Sequence, residues 1–347
     1  MIFVQIISCD QAAKRFKEET KPKASSDIGE IILVIDSVQW NNNLGKAMKE
    51  VLNNPYKGLP QDEIQFNLLK INPKRFKSIL KKGALIIFSM TLDSKTLESQ
   101  TIRNYFTKES LIEIKNDTSK WMTIRKDMFA NGQTCLFLFA KNEDFLISKI
   151  LNNKKRLIDF LESNELNRIK SKIFKSREKE IEKILSEKMD VRLKVPFGWK
   201  TAKQLFDFCW IRKLDVDQDL SLFIYKEKYR GPEVFDHIPS LRDKITEQYL
   251  RDSEKKSLYI TRQIKVGNVE IPTFTEIVDF KGKYAFKTKG LWKVSDNTSG
   301  GPYVSYTIVD ESKQELFYIE GYVYAPGKKK KNLVREIEAI LSTFDSV

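Results

Sequence analysis

The chain has 347 residues, 41% of them hydrophobic and 31% charged, with a net charge of +14. That balance fits a folded globule large enough for one big domain or two ordinary ones, and it excludes a disordered chain. No apolar run approaches the roughly 20 residues of a membrane-spanning helix, and only 14 of the 61 basic residues are Arg, the side chain that reads phosphates and bases bidentately.

The first eight residues are apolar except Gln5 and Ser8, and Cys9 follows directly. A hydrophobic run, a small residue and then Cys is the order of a bacterial lipobox, so residues 1–9 read as a signal remnant with Cys9 as the lipidation site. Residues 10–27 are polar, poor in large apolar side chains, and contain Pro22 and a serine pair. This composition cannot bury a face and is expected to form a flexible tether spanning about 25 Å.

The body is expected to be α+β, with mixed or antiparallel sheets and packed helices, in two halves, 28–163 and 164–347. In the first half a strand is predicted over Ile28–Asp36. A helix follows over Val38–Leu52, carrying Trp40, Leu44, Met48 and Val51 at helical spacing. A strand from Ile64, a short helix Pro73–Leu80, a buried strand ALIIFSM, a helix Thr96–Phe106, a strand or helical continuation over Glu109–Ile114 and a strand Cys135–Ala140 come next. Residues 143–189 hold neither Gly nor Pro and keep a helical rhythm, which predicts two helices meeting near Ser163 and Asn164, where the halves join.

In the second half, strands are predicted in VRLKVPFGW, FDFCWIRK and LSLFIYKEKY, then a helix Pro239–Leu250 with Leu241, Ile245 and Tyr249 on one face. Strands at 257–261, Tyr284–Val294, Tyr303–Val309 and Glu315–Val323 follow, the last two joined as a hairpin across DESK. A helix from Lys329 to Phe344 ends the chain and is expected to lie on the sheet.

The single histidine, His237, precedes Pro239 at a helix start and reads as a capping or surface residue. Ser-His-Asp or Cys-His machinery could draw only on His237, which has no matching nucleophile nearby, and clustered His/Cys zinc sites are excluded, so neither metal nor cofactor is expected. Cys135 and Cys209 lie in apolar strand-like runs and read as buried thiols.

The richest local chemistry lies in residues 290–327. Period-2 alternation in the last strand places Tyr318, Glu320, Tyr322 and Tyr324 on one face and Phe317, Ile319, Gly321, Val323 and Ala325 on the other. The second set reads as core. The first presents phenols around a carboxylate, with Tyr303 and Ser305 beside it on the neighbouring strand. Phenols offer apolar area with a polar tip, so Trp292, Gly300, Gly301, Pro302, Tyr303, Ser305, Tyr318, Glu320, Tyr322 and Tyr324 form the candidate binding surface. The competing reading is a sheet face covered by the terminal helix. Gly300-Gly301-Pro302 is expected to make a tight entry into the hairpin. Arg242 and Asp243 are expected to be helix-surface charges, and Lys328–Lys331 a solvated cluster able to touch anionic headgroups. A hydrolytic role would rest on the carboxylates Glu320, Asp296 and Asp310.

The blocks GLWKV, SGGPYVSY, EGYVYAPGKKKKN and REIEAIL resemble the C-terminal signature of an uncharacterised lipoprotein family of Bacteroidota, domain of unknown function 4837. Upstream pieces in the same order (IGEIILVIDSVQW, VPFGW, FDFCWIRK, LFIYKEKY, SLRDKI) extend the resemblance from Ile28 to Thr343. It implies a signal with a lipobox Cys, an outer-membrane lipoprotein of the cell envelope that faces the periplasm, and no established activity. The resulting expectation is a non-enzymatic binding or assembly factor, held to a membrane by its lipid, with a protein or glycan partner and no nucleic acid. The alternatives are a carboxylate-dependent hydrolase of envelope polymers and a soluble basic nucleic-acid-binding protein.

Overall fold

The computed structural model describes residues 21–250, 258–260, 264–266, 269–271, 273–296 and 298–347. Cys9 and residues 10–20 lie outside the described residues. The described chain folds as α+β in two compact units. One comprises residues up to Asn54 together with Ile64–Asn164; the other comprises Pro55–Glu63 together with Glu165–Val347.

The first unit is built on a five-stranded sheet of β1 (Glu30–Ile35), β2 (Asn67–Ile71), β3 (Leu85–Thr91), β4 (Met122–Lys126) and β5 (Thr134–Ala140), in the order β2-β1-β3-β5-β4. β2, β1, β3 and β5 run parallel, and β4 closes one edge antiparallel to β5. β3 and β5 are buried along their whole lengths, as strands covered on both faces must be, and this is why they read as continuous apolar runs. One face packs Ile31, Leu33 and Ile35 against α2 (Asn43–Leu52), through Leu44, Met48 and Val51. The other packs Ile32 and Val34 with Phe88, Ile102 and Ile114.

The helix expected over Val38–Leu52 is two helices, α1 (Ser37–Asn41) and α2, broken at Asn42, whose backbone is extended. The predicted helix at Pro73–Leu80 is a pair of short 3-10 turns. Residues predicted as a strand or a continuation at Glu109–Ile114 are helical. Here α3 (Leu97–Arg103) and α4 (Lys108–Asn116) are separately capped by Thr96 and Thr107. Residues 21–27, assigned by composition to the tether, are tied down: the Ala24 N–H donates to the Asn131 carbonyl at 2.9 Å and the Ser25 N–H to that of Lys82 at 2.8 Å.

Residues 143–189 form α5 (Glu143–Asn152), α6 (Lys154–Ile173) and α7 (Lys179–Met189). Ser163 and Asn164 lie inside α6, not at a break. The breaks fall at Asn153 and at residues 174–178, and α7 ends on Asp190 in the left-handed conformation.

The second unit carries an eight-stranded antiparallel sheet. After the short β6 (Val191–Arg192), its strands β7 (Lys200–Gln204), β8 (Phe208–Asp215) and β9 (Gln218–Lys228) form a meander. A 3-10 helix, Pro232–His237, and α8 (Ile238–Tyr249) follow. Beyond them come β10 (Leu258–Ile260), the small hairpin of β11 (Ile264–Val266) and β12 (Val269–Ile271), and then β13 (Phe274–Phe280), β14 (Lys283–Val294), β15 (Gly300–Asp310) and β16 (Glu315–Tyr324). The sheet order is β10-β14-β15-β16-β9-β8-β7, with β13 also pairing β14. After α9 (Lys331–Leu341), the two residues of β17 (Asp345–Ser346) pair with β6.

The two sheet faces have different coverings. Phe317, Ile319 and Val323 of β16 pack with Val334, Ile337 and Ile340 of α9, so the terminal helix covers the aliphatic face. Phe223, Tyr303, Tyr318 and Tyr322 pack with Ile238, Ile245 and Tyr249, so α8 covers the aromatic face.

Candidate functional site

Register brings the predicted tyrosine face together as its periodicity required. Tyr303 lies opposite Tyr322 and Ser305 opposite Glu320 across β15 and β16. The face is nevertheless not a surface. Tyr318, Glu320 and Ser305 are fully buried, Tyr303 nearly so, and Tyr322 is 5% exposed; of the predicted side chains on this face only Tyr324, at 37%, is open to solvent. A partner would have to displace α8 to reach them, so the hairpin face is corrected from contact surface to core. The competing reading had the right principle and the wrong helix.

The cause is Arg242. Expected on the helix surface, it is completely buried. Its Nη2 donates to Glu320 Oε1 at 2.8 Å and its Nε to Oε2 at 3.1 Å, the paired geometry that suits a guanidinium to a carboxylate. The Tyr318 hydroxyl adds a 2.7 Å bond to Glu320 Oε2. The Tyr303 ring lies 5.5 Å from the guanidinium carbon. Burial opposes the charge on Arg242, but Glu320 outweighs it and holds the pKa above the usual arginine value. Burial likewise pushes the Tyr303, Tyr318 and Tyr322 phenols upward. Sequence spacing could not expose this pair, because its members are 78 residues apart.

The remaining members of the predicted set are structural. Trp292 Nε1 donates to the Val323 carbonyl at 3.3 Å. Gly300 and Gly301 begin β15, and neither has positive φ. A Cβ on Gly301 would meet the Val323 oxygen at 2.0 Å, so close strand approach, not a turn, requires the glycine. Pro302 is buried beside it in the same strand.

On the opposite face, Glu338 of α9 is 3% exposed and is bound by Lys287, by Lys289 at 2.9 Å and by the Tyr56 hydroxyl at 3.1 Å. Burial pulls its pKa up, but the two ammonium groups prevail and hold it well below the usual carboxylate range. Asp310 is bound by Lys283 and Ser346, again with a depressed pKa: burial opposes the charge, and the hydrogen bonds from Lys283 and its neighbours outweigh it. Along β15, Asp310 falls on the face of Tyr306 and Ile308, whereas Glu320 opposite Ser305 points to the other, so these carboxylates do not converge. Asp296 accepts from the Thr298 N–H at 3.0 Å and the Thr298 hydroxyl at 2.6 Å in its own turn.

Lys331 is only 6% exposed, against the expectation of a solvated cluster, while Lys328 pairs with Asp217 at 3.0 Å. The Lys330 N–H donates to Glu63 Oε1 at 2.6 Å, placing a carboxylate at the start of α9. His237 is exposed and makes no side-chain cap bond to α8. Cys135 and Cys209 are free and buried, and burial raises each thiol to about 12. Among the described residues no group of three or more His, Cys, Asp or Glu side chains could hold a metal ion, and no helix is long and apolar enough to cross a membrane.

A concave site that the sequence analysis did not identify lies near the 3-10 helix, where β14 and β15 carry the aromatic face beyond the buried ion pair. It is a cleft of about 620 Å³ lined by Tyr229, Pro232, Phe235, Tyr284, Phe286 and Val309, with the carboxylates Glu233, Asp236 and Glu311. Phe235 stacks on Phe286 at 4.6 Å between ring centres, and Tyr284 meets Phe235 edge-on at 5.3 Å. Val309 is buried, whereas Tyr284 is 47% exposed. The local signal was weak, because Phe235 sits in PEVFDH and its partners lie some 50 residues further on.

Two family models divide the chain. Residues 178–343 match the family described as Domain of unknown function (DUF4837), and residues 24–174 match Domain of unknown function (DUF8532). The resemblance drawn from Ile28 onward is therefore right for the second half, while the first half matches a different family. Among solved structures, the human StarD13 (DLC2) lipid transfer and protein localization domain aligns at 12% identity over 49% of this chain and 96% of its own, with a TM-score of 0.20. A putative uncharacterized protein from Rhizobium leguminosarum aligns at 12% identity over 36% of this chain and 92% of its own, with a TM-score of 0.14. Neither score supports a shared fold. No curated protein matches the chain.

Proposed function

We propose that this protein is a non-enzymatic binding or assembly factor of the cell envelope, anchored through a lipid on Cys9, with the cleft at Phe235, Tyr284 and Phe286 as its contact site. The observation that carries the binding role is the contrast between two parts of one aromatic sheet face. Under α8 the phenols and Glu320 are consumed by packing and by Arg242. At the cleft, half-open aromatic rings and exposed carboxylates line a concavity within the size range of small-ligand sites. A hydrolytic role for Glu320 and Asp310 is disfavoured by their positions on opposite faces and by their engagement with Arg242 and Lys283.

The anchor rests on the sequence around Cys9 and on what the lipoprotein resemblance implies. Cells fed a fatty-acid analogue are expected to label the wild type and not Cys9→Ala; equal labelling of both refutes the anchor. A photo-crosslinking residue at Tyr284 is expected to give a discrete adduct in the envelope fraction, and one at Tyr324 is not. Absence of an adduct at Tyr284, or equal adducts at both positions, refutes the cleft as contact site.

A further inference from the structure

We propose that the cleft recognises a small organic cation, an alkylated ammonium group borne on a molecule compact enough to enter it. This rests on the reading of the cleft as a binding site and adds the chemistry of its ligand.

Three observations converge. The first is charge. The chain carries a net +14, yet the charged residues lining the cleft are Glu233, Asp236 and Glu311, with no Lys or Arg among them. All three are exposed to solvent. They are therefore hydrated carboxylates that a cation can approach without the cost of desolvating a buried ion. The second is the wall. Phe235, Tyr284 and Phe286 form a three-ring cluster with centre separations of 4.6, 5.3 and 5.6 Å, and Tyr229 adds a fourth aromatic side chain. Aromatic faces carry negative quadrupole potential, and rings combined with nearby carboxylates favour a substituted ammonium over a neutral group of the same shape. The third is size. About 620 Å³ over a buried Val309 floor suits a small molecule.

The proposal predicts discrimination between a cation and its neutral isostere. In full-length protein with labelled valine methyls, Val309 reports occupancy of the floor. Choline is expected to shift its resonances saturably, and 3,3-dimethylbutanol, the uncharged isostere, to bind at least about fivefold more weakly, a gap of about 1 kcal/mol. Glu233→Gln and Glu311→Gln are each expected to weaken choline and leave the isostere unchanged. Both sites are exposed, so methyl spectra of the unliganded variants should match the wild type. Equal affinity for choline and the isostere overturns cation recognition while leaving the cleft a binding site. No saturable shift with either probe overturns the proposal; the adduct test at Tyr284 then decides the broader reading independently. A trilysine peptide that binds more than about tenfold tighter than choline overturns the small-molecule assignment and makes the ligand a basic side chain of a partner protein.

Discussion

Arg242 and Glu320 are worth little on a solvated surface and a great deal where they are found. Removing one member leaves a buried charge without its counter-ion, which typically costs about 3–5 kcal/mol, whereas replacing both by apolar side chains of similar volume is often neutral. Arg242→Met and Glu320→Leu alone are each expected to lower the urea midpoint strongly, and the double variant to recover most of the loss. If the double variant is as unstable as the sum of the singles, the pair is not the coupled unit described above. Glu338 gives a pH signature. Its folded pKa is depressed, so its contribution is present above the ordinary carboxylate pKa of about 4.3 and is lost as pH falls below it. Glu338→Gln is expected to be less stable than the wild type at neutral pH, with the difference narrowing as pH drops below about 4. A difference independent of pH would remove Lys287 and Lys289 from the explanation. At this scale the sequence showed which residues alternate along β16, but not that Arg242 returns to meet them.

The sheet elements were legible because their signal is local. The predicted strands at Tyr284–Val294 and Glu315–Val323 correspond to Lys283–Val294 and Glu315–Tyr324, and the terminal helix is Lys331–Leu341. Elements without alternation were missed. β4, β7 and β13 lie at sheet edges or carry half-polar patterns, and their pairing partners, not their own residues, make them strands. The long helical run divides elsewhere than at Ser163 and Asn164 because the breaks at Asn153 and at residues 174–178 carry neither Gly nor Pro. The contact of α9 with β16 makes its own prediction. A Cβ on Gly321 would lie 2.0 Å from Ile337 Cγ2. Gly321→Ala is thus expected to push the helix from the sheet at a cost of about 1–3 kcal/mol, measured by thermal or urea unfolding. Ile337→Val in that background should relieve little, since Val retains the same methyl, whereas Ile337→Ala should relieve more.

The whole molecule divides as its two family matches do, yet the second unit is not contiguous in sequence. Residues 55–63 belong to it, supplying Tyr56 to Glu338 and Glu63 to the start of α9. A fragment limited to 178–343 lacks both. It is expected to melt at a lower temperature than the same unit in the full chain, and a Tyr56→Phe, Glu63→Gln full-length variant should shift towards it. Equal melting of fragment and full chain would show that these contacts add nothing. The sequence by itself determined the α+β class, the alternation that puts Phe317, Ile319 and Val323 in a core, and the C-terminal resemblance to DUF4837, because propensity, period and motif are carried by neighbouring residues. Only the tertiary structure decided that α8 covers the tyrosine face, that Arg242 neutralises Glu320, and that Phe235, Tyr284 and Phe286 come together at a cleft. Those outcomes depend on which distant segments a sheet brings within a few ångströms, and no local pattern encodes that choice.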